Sequence, residues 1–478
     1  MTIEDQASAG LKWGGVAKLA SQAASWAITL AVVHLLNPDD YGLMALCMVV
    51  VTILAGFAEF GLGSSLIQAA VLGTKDLSRV AGAIFLLNVS ACIVTALAAP
   101  LLATLLGDER LTPILQTLSL QFLFPAIDTV PYSMAHRDMR FKRLAGVEFS
   151  VVLFGLLTTL LLAWLGAGVW ALVYGTLTAA ATRTILCVFL GGFVRPSFDL
   201  RGIGSHARFG GVVTITRLIW QVTSQLDIVI AGRLFASGSV GVYAVSITLA
   251  TLPISKGMAI INQVAFPAVA RLRDEMPRLR HQLLRSLRLL AVAAIPATWG
   301  LSSVAPEFVE VVLGERWRDA IVPLLLVSLV TPLRMFEAVF ATALTGIGRG
   351  DLELRNTLVG AIVLCAGFLI GAQFGLTGLA MSWLVAVPLT IVLNFPRTLP
   401  AFQIRFVDLA AAVRAPVAGG IAMYAVVSAV RMLMPEVEVW ARLPVQVSAG
   451  AVTYIVTLRV ADPSLWVDVR KLAAALRG

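Results

Sequence analysis

The sequence predicts an all-α, polytopic membrane protein with about fourteen transmembrane helices, arranged as two pseudo-symmetric six-helix lobes around a central cavity. Three observations carry that prediction. Of the 478 residues, 59% are hydrophobic and only 13% are charged, where a soluble domain averages about 45–50% apolar and about 25% charged. The apolar residues come in runs of about twenty, the length that crosses a hydrocarbon core. Lysine and arginine gather in alternate connections, as they do on a cytoplasmic side. The mean hydropathy of +0.90 excludes a soluble enzyme, a disordered chain and a disulfide-stapled secreted domain. The net charge of +9 is one a nucleic-acid binder would carry. Loop bias explains it more simply, so no nucleic-acid partner is expected.

In order, the apolar runs cover 11–36, 42–66, 80–105, 112–134, 147–166, 168–193, 209–234, 241–265, 287–304, 320–346, 353–373, 376–396, 413–431 and 442–461. The first is too long for a signal-peptide core. The longest connection is 266–286. Put the N-terminus inside, and inner connections plus tails hold 24 Lys and Arg against 5 outside. That split places both ends in the cytoplasm and agrees with an even number of spans. The stretch 270–288 carries Leu272, Met276, Leu279, Leu283 and Leu287 at three- and four-residue steps, with arginines between. It reads as a basic amphipathic helix lying along the inner leaflet, with a lipid-headgroup site as the functional alternative. Cys47, Cys92, Cys187 and Cys365 sit singly in apolar runs and read as core residues.

A shift of 199 lays the seventh span on the first. Lys18 meets Arg217, Gln22 meets Gln221, Ser25 meets Ser224, Leu35 meets Leu234, Gly42 meets Gly241 and Ala45 meets Ala244. No gap is needed. Six spans separate the copies, so they start on the same side and form a parallel repeat. The expected division is an N-lobe over 1–200, a C-lobe over 201–411, and two further spans with a tail over 412–478. Lys18, Gln22, Ser25 and Thr29 share one helix face, and Arg217, Gln221 and Ser224 repeat its first three steps. Polar stripes avoid lipid, so the two stripes point to a cavity between the lobes.

Charged residues inside the spans are costly, and each is a candidate for function. At 1.5 Å per residue, Lys18, Glu59, Asp128, Arg183, Arg217, Lys256, Arg334 and Glu337 all fall in the cytoplasmic half. Their balance is positive. Lys18, Arg183, Arg217, Lys256 and Arg334 are candidate substrate-binding cations, with Gln22, Ser25, Gln221 and Ser224 as polar lining. Glu59, Asp128 and Glu337 are candidate coupling carboxylates. The structural alternative is pairing or snorkelling; Arg334 and Glu337, three residues apart, suit a pair.

Much chemistry is missing from the sequence. No Gly-Lys dipeptide exists, so there is no Walker A loop. His34, His136, His206 and His281 sit in no ligand pattern, and neither a metal nor another cofactor is expected. Asp39-Asp40 reads as an acidic turn after a helix, because its loop is too short for an acceptor site.

The chain resembles the polysaccharide-lipid (Wzx-type) flippases of the multidrug/oligosaccharidyl-lipid/polysaccharide exporter superfamily. The resemblance runs through Leu36-Asn37-Pro38-Asp39-Asp40-Tyr41-Gly42-Leu43 and Phe57-Ala58-Glu59-Phe60-Gly61-Leu62-Gly63-Ser64-Ser65. It continues through His136-Arg137-Asp138-Met139-Arg140-Phe141, Gly168-Val169-Trp170, Phe266-Pro267-Ala268 and Ala305-Pro306-Glu307-Phe308, then Leu313-Gly314-Glu315-Arg316-Trp317. It covers about residues 10–400. It implies a non-enzymatic flippase of the bacterial inner membrane. The cargo would be undecaprenyl-diphosphate-linked oligosaccharide, moved to the outer leaflet by alternating access. A polysaccharide polymerase and a chain-length regulator are the implied partners. Three rivals stay open: a multidrug or small-cation exporter, a membrane glycan polymerase or ligase, and a flippase for peptidoglycan precursor. An exporter of cations should carry excess acid, and a polymerase a long outer loop; neither is present here.

Overall fold

A computed structural model describes residues 28–59, 62–63, 66, 73–138, 140–199, 219–252 and 275–463. Among the described residues there are helices and turns and no strands. Eight helical stretches there are long and apolar enough to cross a membrane, or nine if one bent pair counts as a span. By compactness the chain divides into Met1–Gly241 and Val242–Gly478.

In the first unit, a helix over 28–35 leads into α1 (Pro38–Glu59), α2 (Thr74–Leu106), α3 (Leu111–Ser119), α4 (Pro125–Arg137), α5 (Phe141–Trp164), α6 (Val169–Gly191) and α7 (Leu226–Leu234). The helix α8 (Ser237–Leu252) begins in this unit. Local chemistry sets the ends. The Gly73 N–H donates to the Asp76 carboxylate at the start of α2. Gly107, at φ +81°, closes the same helix in the left-handed conformation that glycine tolerates. The apolar run 112–134 is not one straight span. A 3-10 turn, Leu120–Leu123, separates α3 from α4. Pro125 opens α4, and having no N–H it cannot extend the ladder of α3. The run 209–234 is broken too, by a turn at 224–225 before α7.

Helices in lipid gain little from hiding apolar surface from each other, so contact depends on small residues. On α5 and α6 the backbones come close. A Cβ built on Gly175 would lie 1.8 Å from the Thr159 hydroxyl oxygen, and one on Gly155 2.9 Å from the Ala179 methyl.

The second unit holds most of α8, then α9 (Met276–Ser303), α10 (Ile321–Gly346), α11 (Gly350–Gly371), α12 (Gly375–Ala401), α13 (Phe406–Leu433) and α14 (Val439–Ala461). The basic stretch expected on the leaflet surface is instead the start of α9. From Met276 onward it runs without a break into the expected span 287–304. Leu279, Leu283 and Leu287 are buried in one core with Ile295, Phe340 and Tyr454. Their period serves protein packing, and the intervening Arg280 is half-buried against Asp408. After Val304 the chain turns through 73° into Ala305–Leu313. Gly375, at φ +78°, turns α11 into α12. Gly378 then sits against Gly371 so closely that its Cβ would meet the Gly371 carbonyl oxygen at 2.3 Å. On α13, a Cβ on Gly420 would come within 2.5 Å of Ile295 on α9.

The α5–α6 contact makes a direct prediction. Gly175→Ala should destabilise by about 1–3 kcal/mol, the range for overpacking. Adding Thr159→Ala, which removes the obstructing hydroxyl, should recover much of the loss. Thermal unfolding of the four proteins in detergent gives the answer; a double variant no more stable than Gly175→Ala would refute the contact.

Candidate functional site

In the first unit, α4 and α6 bring a polar cluster together. Asp128, 2% exposed, accepts a hydrogen bond from the Thr184 hydroxyl at 2.9 Å. Arg183 Nε lies 3.9 Å from the same carboxylate and makes no hydrogen bond there. The Arg183 guanidinium instead stacks over the Tyr132 ring, 4.3 Å from its centre, a favourable cation–π contact. Tyr132 donates to Glu148 on α5. With its side chain 40% exposed, Arg183 retains room to meet a ligand. Asp128 does not, because its carboxylate is enclosed.

The second unit has its own polar chain along α10 and α12. Glu337 accepts from the Thr390 hydroxyl at 2.6 Å. Arg334, one turn away, stacks over Trp383 at 4.2 Å. Trp383 Nε1 in turn donates to the Tyr243 hydroxyl at 2.9 Å. Arg334 and Glu337 therefore each reach across to α12.

Of the other sequence candidates, Gln221 donates from its amide to the Thr52 carbonyl on α1 at 3.2 Å. Ser224 donates back to the Gln221 carbonyl. Both bonds tie the helix to α1 or to itself. Lys18, Gln22, Ser25, Arg217 and Lys256 lie outside the described residues, as does the Glu59 side chain. Among the described residues, no group of three or more His, Cys, Asp or Glu could hold a metal ion.

Two hubs were missed by sequence reasoning. The first surrounds Arg110, between α2 and α3. It donates to Asp39 at 2.6 Å, to Asp108 at 2.7 Å and to Ser237 at 2.9 Å. Asp39 also accepts from the Ser237 hydroxyl. The Asp108 and Asp39 carboxylates raise the Arg110 guanidinium above its ordinary value. Asp40, meanwhile, accepts the Asn37 N–H at the start of α1, so the acidic pair splits into a cap and an ion pair. Beside this hub, α1 crosses α8. A Cβ on Gly42 would lie 1.8 Å from the Ser237 carbonyl oxygen, and one on Gly241 1.8 Å from the Pro38 carbonyl oxygen. These are one contact seen twice, since adding 199 turns 38 into 237 and 42 into 241. The crossing is a local two-fold in the register of the sequence repeat.

The second hub is Glu307, 1% exposed, in the bent segment after α9. Arg431 grips it with two bonds of 2.7 Å. Gln446 donates to it at 3.0 Å, and Arg442 Nε lies at 3.4 Å. These partners come from α13 and α14. Glu307 appeared only within a motif, because its partners are more than a hundred residues away.

The family model described as "Polysaccharide biosynthesis protein" matches residues 31–322. The chain belongs to this family. Among its relatives is the lipopolysaccharide biosynthesis protein WzxC of Escherichia coli, 25% identical, with 83% of this chain and 81% of that protein aligned. The teichuronic acid biosynthesis protein TuaB of Bacillus subtilis is 26% identical over 85% of each chain. The solved lipid II flippase MurJ, in an inward closed conformation, superposes with a TM-score of 0.75 at 12% identity, covering 94% of this chain and 99% of that one. An inward-facing MATE multidrug transporter of the MOP superfamily gives 0.63 at 16% identity, over 79% of this chain and 95% of its own. The fold of this family member is thus that of the superfamily, and the protein is a multi-pass membrane protein.

The Glu307 hub also makes a prediction. Removing one partner of a fully buried ion pair costs about 3–5 kcal/mol. Arg431 is one-third exposed, so Glu307→Ala should cost about 2–3 kcal/mol after discounting for solvent screening. Glu307→Gln, which keeps one acceptor oxygen, should cost less. An unchanged unfolding midpoint for Glu307→Ala in detergent would show the hub to be dispensable.

Proposed function

We propose that this protein is a flippase that carries undecaprenyl-diphosphate-linked oligosaccharide from the inner to the outer leaflet for surface polysaccharide synthesis. Membership of the polysaccharide biosynthesis family over 31–322 is the observation that carries this reading. The relatives named for lipopolysaccharide and teichuronic acid biosynthesis agree with it. The shared fold does not choose between a lipid-linked glycan and a drug, since MATE transporters have it too. Charge supports the glycan: the in-span residues that the sequence puts in the inner half carry more Lys and Arg than Asp and Glu, which suits a diphosphate and repels a cation. Precursor would come from the cytoplasmic leaflet and leave toward a polymerase and its chain-length regulator.

In this reading the two repeats enclose the cargo path and the bacterial inner membrane holds both termini on its cytoplasmic side. Lys18 and Arg217, equivalent under the shift of 199, meet the diphosphate first, Arg217 with a bidentate fork and Lys18 as a point charge. Arg183, Lys256 and Arg334 extend the positive path. Gln22, Ser25, Gln221 and Ser224 line it. Glu59, Asp128 and Glu337 are the carboxylates available to couple an ion gradient; Asp128 has the burial that role needs, and Glu337 is held by the Thr390 hydroxyl. Alternating access then requires the α1–α8 crossing to part on the outer side, with Arg110 and Ser237 separating as it does.

Deleting the protein should leave lipid-linked oligosaccharide on the cytoplasmic side and lower surface polysaccharide while precursor synthesis continues. Normal polysaccharide in a strain without a paralogue would refute the assignment. Arg217→Glu should abolish transport in a protein that still accumulates, Lys18→Glu should be severe, and Arg217→Lys milder. Wild-type transport by the stably expressed Lys18→Glu, Arg217→Glu double variant would sink the cargo path. For the outer crossing, an Asp39→Cys, Ser237→Cys pair should stop transport when oxidised and restore it when reduced. Transport unaffected by a disulfide formed in full would show that the crossing never opens.

A further inference from the structure

At one end of the second unit, where α9 and α13 begin and α14 ends, lies a cleft of about 660 Å³. Such a volume is ordinary for a small-molecule site. Its charged lining is Arg285 and Arg288 from α9, Arg414 and Asp408 from α13, and Asp462 just after α14. Both acids are engaged. Asp408 receives Arg280 at 2.7 Å and the Arg405 N–H at 2.9 Å, and Asp462 receives Arg288. With Arg280 included, the described residues bring four arginines to two aspartates here. Arg414 is exposed and has no ion-pair partner among the described residues. Immediately beside the charges the helices turn apolar faces outward: Phe406 and Val407 next to Asp408, and Val460 next to Ala461, are all exposed. A basic hollow at a helix end with bare apolar surface beside it is the chemistry of a lipid phosphate site, with headgroup in the hollow and acyl chain along the helix.

We propose that this cleft binds the phosphate of an anionic membrane lipid. The ligand chemistry is a membrane-anchored phosphate, which two sources could supply: a bulk glycerophospholipid, or the polyprenyl diphosphate of a lipid-linked glycan. The leucines Leu279, Leu283 and Leu287 are spent on the protein core, while Arg285 on the same helix lines the cleft. The inference does not depend on what the protein transports.

The test is native mass spectrometry of the purified full-length chain, delipidated and titrated with cardiolipin, phosphatidylglycerol, phosphatidylcholine, undecaprenyl diphosphate or inorganic phosphate. At least one anionic lipid should bind about tenfold tighter than phosphatidylcholine. Arg414→Gln should weaken that binding about fivefold, the usual worth of one surface arginine near a charged lipid. Arg285→Gln with Arg414→Gln should weaken it further. Should the double variant fail to fold, the exposed Arg414→Gln alone decides. Arg278→Gln serves as the control, since Arg278 pairs with Glu275 and does not line the cleft. Preference for cardiolipin or phosphatidylglycerol identifies bulk lipid as the source, and preference for undecaprenyl diphosphate identifies the glycan carrier; both support the site. Equal binding of phosphatidylcholine, unchanged affinity in Arg414→Gln, an equal loss in Arg278→Gln, or inorganic phosphate binding as tightly as any lipid would each overturn it.

Discussion

Backbone has to touch backbone for this fold to hold together. A helix already surrounded by lipid gains little by exchanging one apolar neighbour for another, so cohesion rests on close packing and on a few polar bonds. Glycine supplies the closeness at four contacts: Gly42 with Gly241, Gly155 with Gly175, Gly371 with Gly378, and Gly420 beneath Ile295 and Trp299. At each of these, a single added methyl would strike backbone or side chain. The polar clusters bridge other helix pairs: Tyr132 and Arg183 stack between α4 and α6, and Glu337 accepts from Thr390 between α10 and α12.

The polar groups fall into two kinds. Some bonds close helices onto one another and leave nothing for a ligand; the Gln221 amide on the Thr52 carbonyl is one. Others hold a charge ready while leaving part of it open. Arg183 is propped by an aromatic face, which positions a cation without neutralising it. Prepositioned but incompletely satisfied cations are what a transient anionic passenger needs, because a fully paired arginine would have to break its own bonds first.

Features with a short sequence period were legible, and those that depend on distant partners were not. Apolar length marks the eight membrane-capable helices among the described residues, and the register of 199 that aligns Gly42 with Gly241 also maps the α1–α8 contact onto itself. The leucines of 276–287 were correctly seen as one helical face. Their environment was not, since a lipid surface and a protein core ask for the same residues at the same spacing. The break at Leu120–Leu123 was marked by Pro125 and passed over because apolar content runs through it. The Glu307 and Arg110 hubs join residues far apart in the chain, and no local pattern announces such pairs. Lys18 and Arg217, the candidates singled out by the repeat, lie outside the described residues.

The separation of 124 positions between Glu307 and Arg431 bears on how the chain is assembled. Translation delivers the bent segment after α9 well before α13 and α14 exist. Until that last hairpin leaves the ribosome and enters the bilayer, the carboxylate has neither of its arginines nor Gln446. A buried carboxylate without partners is costly, so the burial of Glu307 has to wait for them. The last ties of this segment therefore form only once α13 and α14 have been made, so its bonding is a late event in the assembly of the second unit.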